Sequence, residues 1–373
     1  MKITWSLPGH SSSGKIDEKV LATPLPANRV YEESGLCYAH YVRAVETVLK
    51  QEETRRDGLM EALFPGTAPE VHGVHVEILK HGPFYHPARM TLETDAGAFS
   101  LVINLAVTSE GGACAEREFA LLGQLAERSE ALPRVYLLKA VDVDGHRVVL
   151  FFGEWFDGFH EFHQTRRPEG DRVVVWAGES HGLVTRETEC SIYCQSADIL
   201  TRLYNPLSFA LVQPWHHAAG DFVVNMEATL PRVRLITLRQ YIPMAEVDDI
   251  GAEEILEGAL FFLMMLSIRN RLDRYDGIGE VAWVGTHSVK STLDGFFTGA
   301  AYHQNIGPLE GAFGPWVKDY LVTYTEEEFR ETADAVVSSF NPQASEMGVI
   351  REHIADHVAE FYRIIQALNI HQE

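Results

Sequence analysis

Residues 150–159 read LFFGEWFDGF. Leu150, Phe151 and Phe152 form a short apolar run closed by Gly153, which reads as a buried strand. Glu154, Trp155, Phe156 and Asp157 then lead to Gly158, and there the pattern of the chain changes. Before Gly158 the apolar residues fall in short strand-like runs. After it they recur mostly at three- and four-residue spacing.

Working back from this junction, strands are predicted at Arg147–Glu154 and Arg134–Val141, joined by the turn Asp142-Val143-Asp144-Gly145. A helix is predicted over Ala113–Glu127, with Phe119, Leu122 and Leu125 on one face. Three further strands are predicted at Val74–Leu79, Ala88–Glu93 and Ser100–Ala106, the first two joined by the loop Lys80–Pro87. Tyr38, Tyr41, Val42, Val45, Val48 and Leu49 repeat as a helix does, and Gly66 and Pro69 end that region. Residues 1–34, with their Ser, Pro and Gly clusters, read as a loosely packed leader.

Working forward, helices are predicted at Glu187–Leu203, Ala252–Asp273, Thr292–Ala301, Glu326–Phe340 and Val349–Leu368. Short strands interrupt at Phe222–Asn225 and Val233–Leu238. The reading is α+β, in three parts: a leader and helical extension over 1–70, an antiparallel sheet with one helix over 71–158, and a helical part over 159–373. Trp155, Phe156, Phe159 and Phe162 suggest an aromatic floor near the junction, suited to a planar ligand or to core packing.

Composition narrows the function. The 373 residues include 31 Lys+Arg and 53 Asp+Glu, a net charge of −22 at pH 7. Phosphate backbones and anionic lipid surfaces attract basic proteins, so neither nucleic acid nor membrane is expected as a general partner. The opening MKITWSLPGHSSSGK lacks the apolar core of a secretory signal. The most apolar run, Ala259–Ile268, is about half the length of a bilayer span and reads as a buried helix. The 4 cysteines, without a CxxC, fit neither a disulfide framework nor structural zinc. A cytoplasmic protein is expected. No GxSxG, Walker-type loop, Rossmann fingerprint or EF-hand is present.

Strand, loop, strand, strand, helix, strand, strand, junction, helical part is an order the chain shares with protein kinases. The sequence resembles their small-molecule branch, the aminoglycoside and choline kinase-like phosphotransferases, over about residues 71–302. The stretches that carry the resemblance are HGPFYHPARM (81–90), SLVINLAV (100–107), EREFALLGQL (116–125), LFFGEWFDGF (150–159), and WHHAAGDFVVN (215–225) followed by VRLITLRQY (233–241). It implies a two-lobed fold and ATP with magnesium as cofactors. The nucleotide would lie between the loop at Gly82 and the junction residues Glu154 and Phe156, close to Asn104 and Glu118. Asp221 would orient the hydroxyl of a small polar metabolite, with Asn225 and Thr237 nearest the metal positions.

The chain departs from the family at three of these places. Asn104 stands where the third strand normally presents a lysine, and an amide carries no charge to offset phosphate. Met226 stands five residues past Asp221, where the family has an asparagine. Thr237 stands where it has a metal-binding aspartate, the ligand hard divalent cations prefer. The alternative implied by these departures is a catalytically inactive kinase-like binding or regulatory protein. Three features keep other readings open. Gly220-Asp221 before a strand is also common turn chemistry. The loop 81–89 is stiffened by two prolines, and its His81, His86 and Arg89 would either contact an anion or pack the connection. His160 and His163, three apart as on one helical turn, with His216, His217 and Asp221, would suit a metal hydrolase or a packed interface.

Overall fold

The structure is a computed structural model and describes residues 2–7, 10–11, 16–25, 35–53, 58–67, 69–79, 81–82, 84–177, 180–243 and 250–370. The chain divides into two compact units, Met1–Ala126 with Pro133–Asp157, and Glu127–Leu132 with Gly158–Glu373.

The first unit contains β1 (Lys2–Leu7), β2 (His10–Ser11), α1 (Glu18–Leu21), α2 (Tyr38–Glu53), α3 (Leu59–Leu63), β3 (Val71–Ile78), β4 (His86–Thr94), β5 (Gly97–Ala106), α4 (Ser109–Leu125), β6 (Val135–Val143) and β7 (His146–Glu154). Its mixed sheet has the order β2-β1-β3-β4-β5-β7-β6. β1 and β3 run parallel, and the other neighbours are antiparallel. Period-2 patterning makes these strands. In β4, His86, Ala88, Met90 and Leu92 are buried while Pro87, Arg89 and Thr91 are partly exposed. Asp144 and Gly145 both take positive φ, 54° and 82°, and turn β6 tightly into β7.

Both faces of this sheet are covered. Leu101, Ile103, Leu105, Leu150 and Phe152 pack with Tyr41, Val45, Val48 and Leu49 of α2. On the other face Ala106, Val149 and Phe151 meet Ala115 of α4. Thr108 caps α4 by accepting the Gly111 N–H at 3.0 Å.

One expectation fails in this unit. Lys2–Leu7 is no leader but a strand paired along β3, with Trp5 and Leu7 buried. Ile3, Trp5 and Leu7 do alternate, but the run is short and the Pro, Gly and Ser residues after it mask the pattern.

The second unit contains β8 (Phe162–Thr165), β9 (Arg172–Ala177), β10 (Ser180–Leu183), α5 (Arg186–Leu203), β11 (Leu211–Gln213), β12 (Phe222–Asn225), β13 (Arg232–Leu235), β14 (Gln240–Ile242), α6 (Ala252–Arg269), β15 (Leu272–Arg274), β16 (Val281–Trp283), α7 (His287–Ala300), β17 (Gln304–Ile306), β18 (Leu309–Ala312), α8 (Phe313–Leu321), α9 (Glu326–Ser339) and α10 (Met347–Ile370). Helices α5 and α7 approach so closely that a Cβ on Gly295 would stand 2.0 Å from the Cys194 carbonyl oxygen.

Three readings are corrected here. Phe162–Thr165, Arg172–Ala177 and Ser180–Leu183 form a three-stranded antiparallel sheet where the part after residue 159 was expected to be helical, driven by the β-branched run Val173-Val174-Val175. The helix expected over Ala252–Asp273 stops at Arg269, and Leu272–Arg274 pairs with Val281–Trp283. α8 was hidden by Gly314-Pro315, yet proline is tolerated in a first helical turn, where its missing N–H has no partner to lose.

Candidate functional site

The β12–β13 hairpin pairs Phe222 with Leu235 and Asn225 with Arg232. A short 3-10 turn, His217–Ala219, precedes it and ends at Gly220, whose φ of 66° is left-handed. A side chain there would overlap the Glu161 carboxyl, 2.6 Å from its Cδ, so the position needs glycine. The turn delivers Asp221 into the interior at 1% exposure.

The Asp221 carboxylate is heavily engaged. Oδ1 accepts Arg239 Nη2 at 2.7 Å, and Oδ2 accepts Arg239 Nη1 at 2.9 Å and the His216 N–H at 2.9 Å. Three donors occupy three of the roughly four acceptor positions of a carboxylate. The two-pronged contact with a guanidinium is the strong form of an ion pair. Arg239 was not singled out from the sequence. It is the third arginine of the stretch 232–239, after Arg232 and Arg234, and nothing in the spacing sets it apart.

Asn225 and Thr237 do not form one metal site. Asn225 and Leu235 are three rungs apart on the hairpin, about 10 Å at 3.3 Å per residue. Thr237 lies at the Leu235 end, where the Ile236 N–H donates to the Asp221 carbonyl at 2.8 Å. The Asn225 amide is also fully used: Nδ2 donates to Gly158 O at 2.9 Å and Glu227 Oε2 at 3.3 Å, and Oδ1 accepts Glu227 N–H at 3.1 Å and Arg232 Nη2 at 3.4 Å.

The histidines separate into different environments. His163 lies on β8, and the His160 backbone bridges Val224, so the helical turn expected to join them is absent. In extended chain, residues three apart point to opposite faces. His163 Nδ1 is 3.3 Å from Asp273 Oδ1, and its Nε2 is 3.7 Å from Glu161 Oε2. Burial alone would lower its pKa, but Asp273 and Glu161 outweigh that and raise it to about 9. Asp273 also accepts the Gln164 and Arg274 N–H groups, each at 2.7 Å. Gln164 Nε2 continues the network to Glu189 at 3.2 Å, and Glu189 in turn holds His287 at 2.9 Å and Arg186 at 2.7 Å.

His217 is a core histidine. Phe162, Tyr193, Trp215 and Phe222 ring it at 5.4–5.6 Å, and its Nε2 donates to Asn270 Oδ1 at 2.8 Å. Burial lowers the pKa of both His217 and His216. Among the described residues, no group of three or more His, Cys, Asp or Glu is arranged to hold a metal ion. The hydrolase constellation of His160, His163, His216 and Asp221 is thus not assembled.

Gly82, Asn104, Glu118, Glu154 and Phe156 lie in the first unit, and Asp221, Asn225 and Thr237 in the second. Asn104 is half-buried on β5, in register with Pro87 and Phe151. Glu118, 2% exposed, accepts the Tyr85 hydroxyl at 2.6 Å, and that hydroxyl is also 3.0 Å from Cys114 Sγ. Burial and the Glu118 charge both hold the Tyr85 phenol in its protonated form. The Gly82 N–H donates to Tyr85 O at 2.9 Å, so the turn at Gly82 and Glu118 meet through Tyr85. Glu154 Oε2 accepts the Arg134 N–H at 3.1 Å, closing the open end of β7. Phe156 is half-buried.

The described residues His81, Gly82, Phe84 and Tyr85 and the start of β4 at His86 form a packed connection. His81 Nδ1 and His86 Nδ1 are 2.8 Å apart, His81 Nε2 is 2.7 Å from Tyr38 Oη, and Tyr41 Oη donates to His86 O at 2.9 Å. Burial keeps both rings neutral, with the pKa of His86 lowered to about 4. Arg89 pairs with Asp157 at 2.7 Å and lies over Trp155. Lys80 and Pro83 lie outside the described residues.

Compared with known proteins, the chain matches no family model and no curated protein sequence. Among the described residues, no helix is long and apolar enough to cross a membrane.

Proposed function

We propose that this chain is a kinase-like protein related to the small-molecule phosphotransferases that acts by binding or regulation rather than by magnesium-ATP chemistry. The observation that carries the reading is the bidentate Arg239–Asp221 pair. A base or orienting carboxylate must turn a free oxygen to the acceptor hydroxyl, and a metal ligand must offer one to the ion. Arg239 and the His216 N–H take most of that capacity from Asp221.

The residues also do not fit magnesium with ATP. Asn225 has no free donor or acceptor, Thr237 brings no charge, and the two are separated along the hairpin. Glu118 pairs with the phenol of Tyr85, and Asn104 supplies no cation for phosphate.

Calorimetry with ATP, with and without magnesium or manganese, tests this. The expected result is that the divalent ion leaves any nucleotide affinity unchanged and that no ADP accumulates with polar metabolites. Metal-linked binding together with ADP production lost in Asp221→Asn would establish the phosphotransferase reading instead. That second reading draws support from one observation: Asp221 and Thr237 share one end of the hairpin.

A further inference from the structure

We infer that Cys37 is a nucleophilic thiol, with His40 as its base and Asp144 as the positioning acid, able to take an acyl group from an acyl thioester. The three residues come from two separate segments of the first unit and play no part in the site above. Cys37 is the last residue before α2, and its carbonyl accepts the N–H groups of His40 at 2.9 Å and Tyr41 at 3.3 Å. It thus sits at the amino end of a 16-residue helix, where the aligned peptide dipoles favour a negative sulfur.

His40, one turn into the helix, folds back on it. Its Nδ1 is 3.1 Å from Cys37 Sγ and accepts the Cys37 N–H at 2.9 Å. A ring nitrogen that accepts an N–H carries no hydrogen, so the imidazole proton is on Nε2. Nε2 faces Asp144 Oδ2 at 3.3 Å. Nucleophile, base and acid thus follow in the order that activates cysteine and serine nucleophiles.

The acid is fixed by the fold. Asp144 stands at φ 54° in the β6–β7 turn, and Arg43 holds its carboxylate at 2.6 Å. The group is reachable: Cys37 is half-buried, and the His40 and Asp144 side chains are 17% and 53% exposed. Burial pushes up the thiols of Cys114 and Cys194.

The step balances without an oxidant. The single Nδ1 lone pair of His40, shared between the Cys37 N–H and the thiol, is released by the N–H and takes the thiol proton as Sγ attacks the thioester carbonyl carbon. The new Sγ–C bond forms, the donor's C–S bond breaks, and the departing thiolate takes the proton from His40. The product is the S-acyl form of Cys37 and a free thiol.

The test is to incubate the full chain at neutral pH with S-phenyl thioacetate and to quantify acetyl adducts on Cys37 and Cys190 by peptide mass spectrometry. Cys37 is expected to acylate at least about tenfold faster than Cys190, and His40→Gln and Asp144→Asn each to slow it about tenfold while Cys190 is unchanged. Loosening of the fold would speed labelling at both cysteines, so selective slowing at Cys37 reports the loss of its base. Absence of an adduct on Cys37, equal rates at the two cysteines, or an unchanged Cys37 rate in His40→Gln overturns the proposal.

Discussion

Arg239 holds Asp221 through both terminal nitrogens, at 2.7 and 2.9 Å, although the two residues are 18 apart in the chain. The carboxylate is 1% exposed and the Arg239 side chain 18%. Removing one partner leaves the other's charge in a site with little water.

Asp221→Ala is therefore expected to cost about 3 kcal/mol in urea unfolding, and Arg239→Gln a similar amount. The double variant should cost clearly less than the sum, because one interaction is lost in both. Additive costs would show that the pair is not coupled. Asp221→Asn, which keeps the shape, is the better probe of chemistry at this position.

His163 makes the second unit sensitive to alkali. Its folded pKa of about 9 lies above the ordinary 6.5, so between those values the folded chain holds a proton that the unfolded chain has released. The stabilisation is complete below 6.5 and is lost as pH rises through about 9. The melting temperature should fall across that window, and His163→Gln should flatten the fall. An identical slope in the variant would remove His163 as its source.

Gly295→Ala is expected to destabilise the chain by about 2 kcal/mol, since the added methyl must displace the Cys194 carbonyl from 2.0 Å. Chemical denaturation measures this. An unchanged midpoint would mean that α5 and α7 separate freely.

Much of the first unit was legible because its information is local. Alternation in residues 88–93 marked β4, though the strand starts two residues earlier, at His86, and Asp142–Gly145 marked the hairpin turn, where the structure has two positive φ angles. Lys2–Leu7 was not legible, because its alternation covers only three apolar residues and its pairing with β3 joins segments about 70 residues apart. The site followed the same rule. Gly220-Asp221 could be picked out as a turn before a strand, but nothing in spacing says that Arg239 closes on it. His163 and Asp273 are 110 residues apart, so their pairing likewise has no signature in sequence. The helical spacing of His160 and His163 misled for a local reason: the valine run at 173–175 draws residues 162–165 into a sheet.

The assignment of Glu127–Leu132 to the second unit means that the polypeptide passes between units three times, after Ala126, Leu132 and Asp157. Severing it at Asp157–Gly158 would not release two self-sufficient halves. The carboxy-terminal piece would lack Ala131, whose carbonyl receives the Leu235 N–H at 3.1 Å, and would expose the hairpin that bears Asp221. A short peptide spanning 127–132 would have to be supplied in trans to complete it.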